Sequence, residues 1–232
     1  MTRILFDLDG TLIDSVPDIH AMANRLLDQE DKPAVSLAEV RSFVGSGAKV
    51  LIERLRAARG IPDSEQSRLH QTFLGLYTEA VHLTQPYPGV IDALSTLKAA
   101  GHRLGIATNK PENAARAVLD HLALMPFFEV MIGGDSLATH KPDPLMLTEG
   151  YARLGEGPKL FVGDSEIDAV AARNAGVPFL LFTEGYRQTP AETLGALAIF
   201  SDYRELPRLV VETTNKCPPS DFIRKYVVVI KQ

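Results

Sequence analysis

Short apolar runs recur along the chain, and most of them end in polar or charged residues. The first covers residues 3–8 and ends in carboxylates. Four similar runs and one weaker run follow much later, at residues 102–108, 128–133, 159–164, 178–183 and 197–201. Segments with apolar residues at helical spacing separate the runs, and Val90, Leu94 and Leu97 share one such face. Short buried strands that alternate with amphipathic helices predict a parallel α/β sheet.

Helix boundaries in this second half of the chain carry recognisable signals. Asp143 is a good N-cap residue, and Pro144 fits the first turn of the helix that follows, where a missing N–H costs nothing. Ser165 and Asp168 form a variant of the capping-box pattern, and Gly176 stands where that helix is expected to end. These signals support the alternation of strands and helices.

The stretch from residue 15 to residue 85 contains no good strand. Its pattern predicts helices at residues 17–30, 37–44, 48–58 and 64–83. The chain returns to the sheet through a turn-rich Pro-Tyr-Pro-Gly run at residues 86–89. The predicted fold class is therefore α/β, with a Rossmann-like parallel sheet (residues 1–14 and 86–211), a helical insert (residues 15–85) and a tail (residues 212–232). An insert placed there would lie over the carboxyl ends of the strands, where open α/β sheets bind ligands.

Composition narrows the classes of function. Apolar residues make up 45% of the 232-residue chain and charged residues 23%, which is typical of a globular protein. The net charge of -5 argues against nucleic acid as the main partner, because phosphate backbones favour a basic surface. The single cysteine, Cys217, excludes an intrachain disulfide. We find no secretory leader and no apolar run of membrane-spanning length, so we expect a cytoplasmic protein with no membrane partner.

The first apolar run ends in the sharpest chemical signal, the sequence FDLDGT at residues 6–11. Asp7 and Asp9 lie two residues apart after a buried strand, so one tight bend presents both carboxylates. Gly10 lets the backbone turn and approach a ligand closely. One carboxylate can attack phosphorus while the other transfers protons. Taken alone, the same residues fit an ordinary turn equally well.

Three later strand ends add residues of matching chemistry. Thr108 and Asn109 offer a hydroxyl and a backbone N–H at a helix start, which can bind an anion or simply cap the helix. Lys141 can meet a phosphate or lie on the surface. Asp164 and Asp168 offer the oxygen ligands that Mg²⁺ prefers, although both also fit helix capping.

Together, these four elements at successive strand ends resemble the motifs of the haloacid-dehalogenase-like hydrolase superfamily. The resemblance extends over residues 1 to about 208, and the helical insert resembles the small cap domain of that superfamily. It implies that Asp7 forms an aspartyl-phosphate and that Asp9 acts as general acid and then as general base. It also implies Mg²⁺ held by the Asp7 carboxylate, the Asp9 backbone carbonyl and Asp164, with Asp168 supporting the metal or orienting Lys141.

The remaining site residues follow from the same resemblance. Thr108, the Asn109 N–H and Lys141 are expected to bind the phosphoryl oxygens. Gly10 and Thr11 are expected to lie against the substrate. The partner implied is a small phosphate ester, bound by a monomer or a homodimer.

The insert also carries a loop that resembles the cap loop of phosphoglycolate phosphatases, the run FVGSGAKVL at residues 43–51. The run TNKP at residues 108–111 is similar to the same subfamily. We therefore expect Gly45, Ser46 and Gly47 to contact the substrate, although the same residues are also typical of an ordinary turn between two helices. The expected activity is Mg²⁺-dependent hydrolysis of 2-phosphoglycolate. Alternatives are a sugar-phosphate mutase, a phosphatase or pyrophosphatase with another substrate, and a non-catalytic binding module.

Overall fold

The computed structural model describes residues 1–77 and 79–216 of the 232 in the sequence. Its centre is a parallel sheet of six strands, which are β1 (Arg3–Phe6), β4 (Arg103–Ala107), β5 (Val130–Ile132), β6 (Lys159–Gly163), β7 (Phe179–Phe182) and β8 (Ala198–Phe200). They lie side by side in the order β5-β4-β1-β6-β7-β8. All six predicted runs form strands, and the predicted α/β class with a parallel sheet is confirmed.

The register of the central strands brings the predicted motifs to one edge of the sheet. Phe6 lies level with Ile106 on one side and Val162 on the other. The residues that follow these positions therefore emerge side by side at the carboxyl ends of the strands. Strand β1 ends at Phe6 rather than at residue 8, because the backbone then turns back on itself and the carbonyl oxygen of Leu8 accepts hydrogen bonds from later N–H groups.

Helices cover both faces of this sheet. Along β1, the side chains of Ile4 and Phe6 join one hydrophobic cluster, whereas Leu5 joins another on the opposite face. A sheet buried on both faces explains why its strands read as continuous apolar runs. The covering helices are α5 (Val90–Ala99), α6 (Glu112–His121), α7 (Leu145–Arg153), α8 (Glu166–Ala175) and α9 (Leu206–Lys216).

Helix boundaries follow the predicted signals within a residue or two. Asp143 accepts a hydrogen bond from the N–H of Leu145 at 2.9 Å, and Pro144 lies immediately before the first residue of α7. At α8, Ser165 and Asp168 form the predicted capping box, and Gly176 ends the helix with φ of 63°.

Four helices build the insert, which we call the cap from here on. They are α1 (Val16–Gln29), α2 (Leu37–Phe43), α3 (Ala48–Ala58) and α4 (Gln66–Tyr77). Their apolar faces form a separate hydrophobic cluster that meets the sheet domain at Ala114 and Tyr186. The two connections to the sheet domain run side by side as a short antiparallel pair, β2 (Ile13–Asp14) and β3 (Gln85–Pro86).

One predicted helix is too long. The expected helix over residues 64–83 is assigned as α4 only to Tyr77. The buried carboxylate of Asp18 accepts hydrogen bonds from the N–H groups of Leu83 and Thr84, at 3.0 and 2.7 Å, and from the Thr84 hydroxyl at 2.6 Å. These bonds hold the returning chain outside a helix, and a helical periodicity count could not anticipate them.

The end of the chain is described only in part. Helix α9 continues past the predicted boundary at residue 211 and reaches Lys216. The rest of the predicted tail, including Cys217, lies outside the described residues. Among the described residues, no helix combines the length and apolar character needed to span a membrane.

Candidate active site

The floor of the site is a chain of buried charges centred on Lys141. Its ammonium group lies 2.7 Å from Asp7 Oδ1 and 2.7 Å from Asp168 Oδ1. Lys141 is only 2% exposed, so this ammonium is held between two carboxylates away from bulk water. The structure thus brings together three of the residues that the sequence placed at different strand ends.

Asp168 acts as a fixed support for Lys141. While Oδ1 binds the lysine, Oδ2 accepts hydrogen bonds from the Ser165 hydroxyl at 2.7 Å and from the N–H groups of Asp164 and Ser165 at 3.2 Å each. Both oxygens are therefore engaged within the protein. The two roles considered for Asp168, helix capping and orientation of Lys141, are performed by the same carboxylate.

Asp164 is held by a second set of bonds. Its Oδ1 accepts from the Thr11 hydroxyl at 2.8 Å, and its Oδ2 accepts from the Tyr186 N–H at 2.6 Å. Gly10 has φ of 86°, and a Cβ there would lie 2.6 Å from Asp164 Oδ2, so only glycine fits. Gly10 and Thr11, which are predicted to contact substrate, lie against Asp164, and Thr11 is fully buried.

Three of these carboxylates form a group that can hold a metal ion. One oxygen from each of Asp7, Asp164 and Asp168 lies within 4.8 Å of the others. Burial raises the pKa of Asp7 to about 7; nearby Lys141 lowers it, and Asp168 raises it. Burial, followed by the charges of Asp168 and Asp7, also raises the pKa of Asp164. Asp7 and Asp164 would both ionise more readily beside a cation, which is what a metal site requires.

The predicted anion-binding residues have well-defined partners. The Asn109 amide donates to the carbonyl of Lys141 at 2.9 Å and to the carbonyl of Gly45 at 3.1 Å, and its Oδ1 accepts from the Lys141 N–H at 3.0 Å. Asn109 therefore fixes the backbone of Lys141 and links it to the cap loop. Thr108 lies beside it, and its hydroxyl oxygen accepts from the N–H of Lys110 at 3.2 Å.

Asp9 is paired with a lysine that the sequence interpretation did not assign to the site. The ammonium of Lys110 lies 3.0 and 3.3 Å from the two carboxylate oxygens of Asp9, and 4.2 Å from the ring centre of Tyr77 in the cap. Although burial alone would lower the pKa of Lys110, the Asp9 carboxylate and the Tyr77 hydroxyl raise it overall. Lys110 stays protonated. The sequence feature that could have identified Lys110 as a site residue is its position in the run TNKP, directly after the end of a strand.

These groups line a cleft between the sheet domain and the cap. Its volume is about 330 Å³, including the space at its open mouth. The lining residues from the sheet domain are Asp7, Asp9, Thr108, Asn109 and Lys110, and those from the cap are Val44, Gly45, Gly47, Leu51 and Tyr77.

The predicted cap residues do not all reach this cleft. Gly45 and Gly47 line it, and a Cβ on Gly47, where φ is 87°, would lie 3.3 Å from the Asn109 carbonyl oxygen. Ser46 does not line the cleft, and its hydroxyl is 3.5 Å from the guanidinium of Arg54.

Comparison with known proteins places this geometry in a family. The model of the haloacid dehalogenase-like hydrolases matches residues 4–182, which include the four strand-end motifs. The chain belongs to this family. The prediction of that superfamily, and of the hydrolase class, is confirmed.

Individual relatives agree with the family model. The chain is 46% identical over 213 residues to a phosphoglycolate phosphatase of Cereibacter sphaeroides, covering 90% of this chain and 98% of the relative. It is 42% identical over 220 residues to a phosphoglycolate phosphatase of Caulobacter vibrioides, covering 93% of both chains. A solved structure from Haemophilus somnus, described as a predicted phosphoglycolate phosphatase, superposes with a TM-score of 0.83 and is 32% identical. That comparison covers 90% of this chain and 97% of the other.

A second feature of this hydrolase was not foreseen, a contact between the cap and the loop after β7. Arg41 of the cap donates to the carbonyls of Glu184 and Gly185 at 3.0 and 2.7 Å, and its guanidinium lies 5.2 Å from the ring centre of Tyr186. The Tyr186 hydroxyl donates to Asp14 at 2.8 Å, in the linker to the cap. Because the Tyr186 N–H also binds Asp164, one loop connects the cap, the linker and the acidic cluster.

Proposed function

We propose that this hydrolase is a Mg²⁺-dependent phosphatase that converts 2-phosphoglycolate and water to glycolate and phosphate through an aspartyl-phosphate on Asp7. The observation that carries the proposal is the setting of Asp7. Its carboxylate lines the cleft, lies 2.7 Å from the Lys141 ammonium and belongs to a buried acidic cluster. The names of the relatives at 46% and 42% identity support the substrate.

The chemistry proceeds in two steps. In the first, an oxygen of the Asp7 carboxylate attacks phosphorus and the ester P–O bond breaks, with its electron pair leaving on the ester oxygen. Protonated Asp9 donates its proton to that oxygen, and glycolate is released. In the second, Asp9 takes a proton from water as the water oxygen attacks phosphorus. The bond between phosphorus and Asp7 then breaks, which frees phosphate and restores both carboxyl groups.

The negative charge on the phosphoryl oxygens has to be stabilised by positive charge in both steps. Lys141 already touches Asp7, so its ammonium is in place for a phosphoryl oxygen bound to that side chain. Thr108 lines the same cleft and offers a hydroxyl donor. Asp168 and Asn109 fix the two ends of Lys141, its ammonium and its backbone, so the lysine needs little reorganisation during the reaction.

The acidic cluster fits Mg²⁺ in the type and charge of its ligands. Its ligand atoms are all carboxylate oxygens, which hard cations prefer. Asp7 and Asp164 would hold the ion, and Asp168 would support the site through its bonds to Lys141, to Ser165 and to the N–H of Asp164. A bound Mg²⁺ supplies positive charge that offsets the repulsion between carboxylate and phosphate.

The cleft favours a small substrate. Glycine at positions 45 and 47 leaves the backbone of the cap loop open to the cleft, and the Asn109 amide donates a hydrogen bond to the Gly45 carbonyl. We propose that the backbone of this loop lies against the two-carbon acid.

A phosphate-release screen tests the proposal directly. The purified protein is assayed with Mg²⁺ on 2-phosphoglycolate, sugar phosphates, nucleotides and pyrophosphate. We expect the highest kcat/KM for 2-phosphoglycolate and no release in excess chelator. A sugar phosphate or pyrophosphate at the top of the ranking would contradict the substrate, and full activity in chelator would contradict the metal.

A further inference from the structure

Lys110 is a buried cation for which the two-step chemistry above has no use. It is 6% exposed, yet it lines the cleft. Among the described residues that line the cleft, it is the one cation, because Lys141 lies beneath Asp7 in the floor. A lysine in a cleft is costly to bury, so its presence at this point calls for a function.

Three arginines of the cap are engaged elsewhere. Arg41 binds the carbonyls of the loop after β7, Arg54 binds the carbonyls of residues 42 and 43, and Arg56 pairs with Asp63. A negatively charged group on a substrate in the cleft would therefore meet the ammonium of Lys110 rather than these guanidinium groups.

The position of Lys110 matches a short substrate. Asp9 contacts its ammonium with both oxygens and is also the group proposed to protonate the ester oxygen. A ligand group that reaches Lys110 is thus only one side chain away from the ester oxygen. In a two-carbon acid the carboxylate follows the ester oxygen after a single methylene, whereas longer esters carry their polar groups further off.

The surroundings of Lys110 strengthen such a contact. The Tyr77 ring lies over the ammonium on the cap side, and Leu51 and Val44 add apolar lining. An ion pair in a cleft of this kind is less screened than one in water. An ammonium has three donors, so a second carboxylate can bind beside Asp9 or replace it.

We propose that Lys110 is a specificity-determining residue, whose ammonium binds the carboxylate of a small phosphorylated acid while the phosphoryl group lies on Asp7. This inference rests on the proposed phosphatase function and adds the element that recognises the substrate class. Exchange of Asp9 for the substrate carboxylate on Lys110 would also release Asp9 toward the ester oxygen. Lys110 would then both bind the substrate carboxylate and free Asp9 for proton transfer.

The test compares two phosphate esters, 2-phosphoglycolate and 2-hydroxyethyl phosphate. The first carries a carboxylate beyond its methylene group, and the second carries an uncharged hydroxymethyl group in the same place. For Lys110→Met we expect kcat/KM to fall about a hundredfold or more on the acid, as for a truncated buried charge pair. The loss on the uncharged ester should be at least about tenfold smaller. Lys110→Arg keeps the charge and should recover part of the preference. Lys98→Met removes an exposed lysine of α5, in the sheet domain, and should change the hydrolysis of neither ester.

An inhibition experiment with glycolate tests this inference separately from the proposed function. Glycolate is added as a competitor while an aryl phosphate is hydrolysed, and its inhibition constant is measured for wild type and Lys110→Met. Weaker inhibition of the variant, by about tenfold or more, supports the lysine site even if 2-phosphoglycolate is not turned over, an outcome that would remove only the proposed substrate.

Equal inhibition of both proteins, or equal losses on the two esters, would overturn the inference and leave Lys110 as a positioning residue for Asp9. If Lys110→Met does not fold, as judged by thermal melting, the same comparisons are made with Lys110→Gln, which removes the charge but keeps a polar side chain. That variant must then lose part of the preference for the acid, and an unchanged preference would count against the inference.

Discussion

The floor of the cleft and its cap side are built in different ways. In the floor, Asp164 and Asp168 each accept bonds from several groups of the sheet domain, and Lys141 sits between two carboxylates. On the cap side, the contacts are few, such as Asn109 to the Gly45 carbonyl and the Tyr77 ring over a lysine. The floor is therefore fixed by the core of one domain, whereas the cap side belongs to a separate hydrophobic cluster that meets the sheet domain at Ala114 and Tyr186.

This difference suits the floor to catalysis and the cap side to selection of the substrate. Regions held by few buried bonds open at lower free energy than regions tied into a core. We therefore expect the cap to open for substrate entry and to exclude bulk water when it closes. Changes in the floor should then damage every substrate, and changes in the cap should depend on the substrate.

The largest effect should come from the nucleophile. Asp7→Asn should reduce phosphate release to background for every ester, because an amide does not form the acyl-phosphate. The variant should fold, since the raised pKa of Asp7 means that its ionised form is unfavourable there. Steady-state assays beside thermal melting check both points, and near-normal turnover by this variant would refute the assignment.

The next largest effect concerns the metal. Asp164→Asn should weaken Mg²⁺ affinity by at least about tenfold, because Mg²⁺ is held by few carboxylates. Activity should return, in part, at high Mg²⁺. Titration of activity and of melting temperature against Mg²⁺ measures this, and an unchanged midpoint would remove Asp164 from the metal site.

A pH dependence follows from the raised pKa of Asp7, about 7 in the folded protein. Because folding raises this pKa, the folded state binds the proton more tightly than the unfolded state. The contribution of Asp7 to stability is present below its unfolded pKa and is lost as pH rises through about 7. Without metal, the melting temperature of wild type relative to Asp7→Asn should therefore fall between pH of about 4 and about 7, and Mg²⁺ should offset the fall. A difference that is flat with pH would contradict the charge balance assigned to the floor.

A smaller and selective effect is expected from the cap loop. Gly47→Val would add bulk 3.3 Å from the Asn109 carbonyl, at a positive φ, and should lower kcat/KM for 2-phosphoglycolate more than for an aryl phosphate, by about tenfold. Gly60→Val is the matched control, since Gly60 also has a positive φ but no atom near its Cβ position. If both variants melt lower and lose activity equally, strain in the cap explains the effect and the loop does not select the substrate.

The smallest effect should come from the contact of Arg41 with the loop after β7, which we call the latch. Arg41→Met removes two hydrogen bonds of an exposed side chain and should lower kcat/KM about two- to fivefold. Hydrogen exchange at residues 183–188 should become faster. Arg68→Met, which breaks ion pairs only within the cap, should leave both quantities unchanged. No change in exchange for Arg41→Met would show that the latch does not order this loop.

The floor could be predicted from the sequence because it follows from strand ends and register. Asp7, Thr108 and Asp164 each come directly after a strand, and parallel strands present such residues at one edge. The cap side could not be predicted in the same way. Lys110 contacts the ring of Tyr77 in the cap, and Arg41 binds a loop 143 residues later in the chain. Because these partners are distant in sequence, no local pattern predicts the contacts.

The two-step chemistry at Asp7 is tested most directly by a pre-steady-state experiment with Asp9→Asn. An aryl phosphate needs little help from an acid in the first step, whereas the second step loses a general base worth roughly a hundred- to ten-thousand-fold. The account predicts a burst of one phenol per active site, with the phosphoryl group found on the peptide that contains Asp7 after an acid quench. The double variant, Asp7→Asn with Asp9→Asn, should give no burst. Phenol release without phosphate on Asp7, or an equal burst from the double variant, would contradict the account.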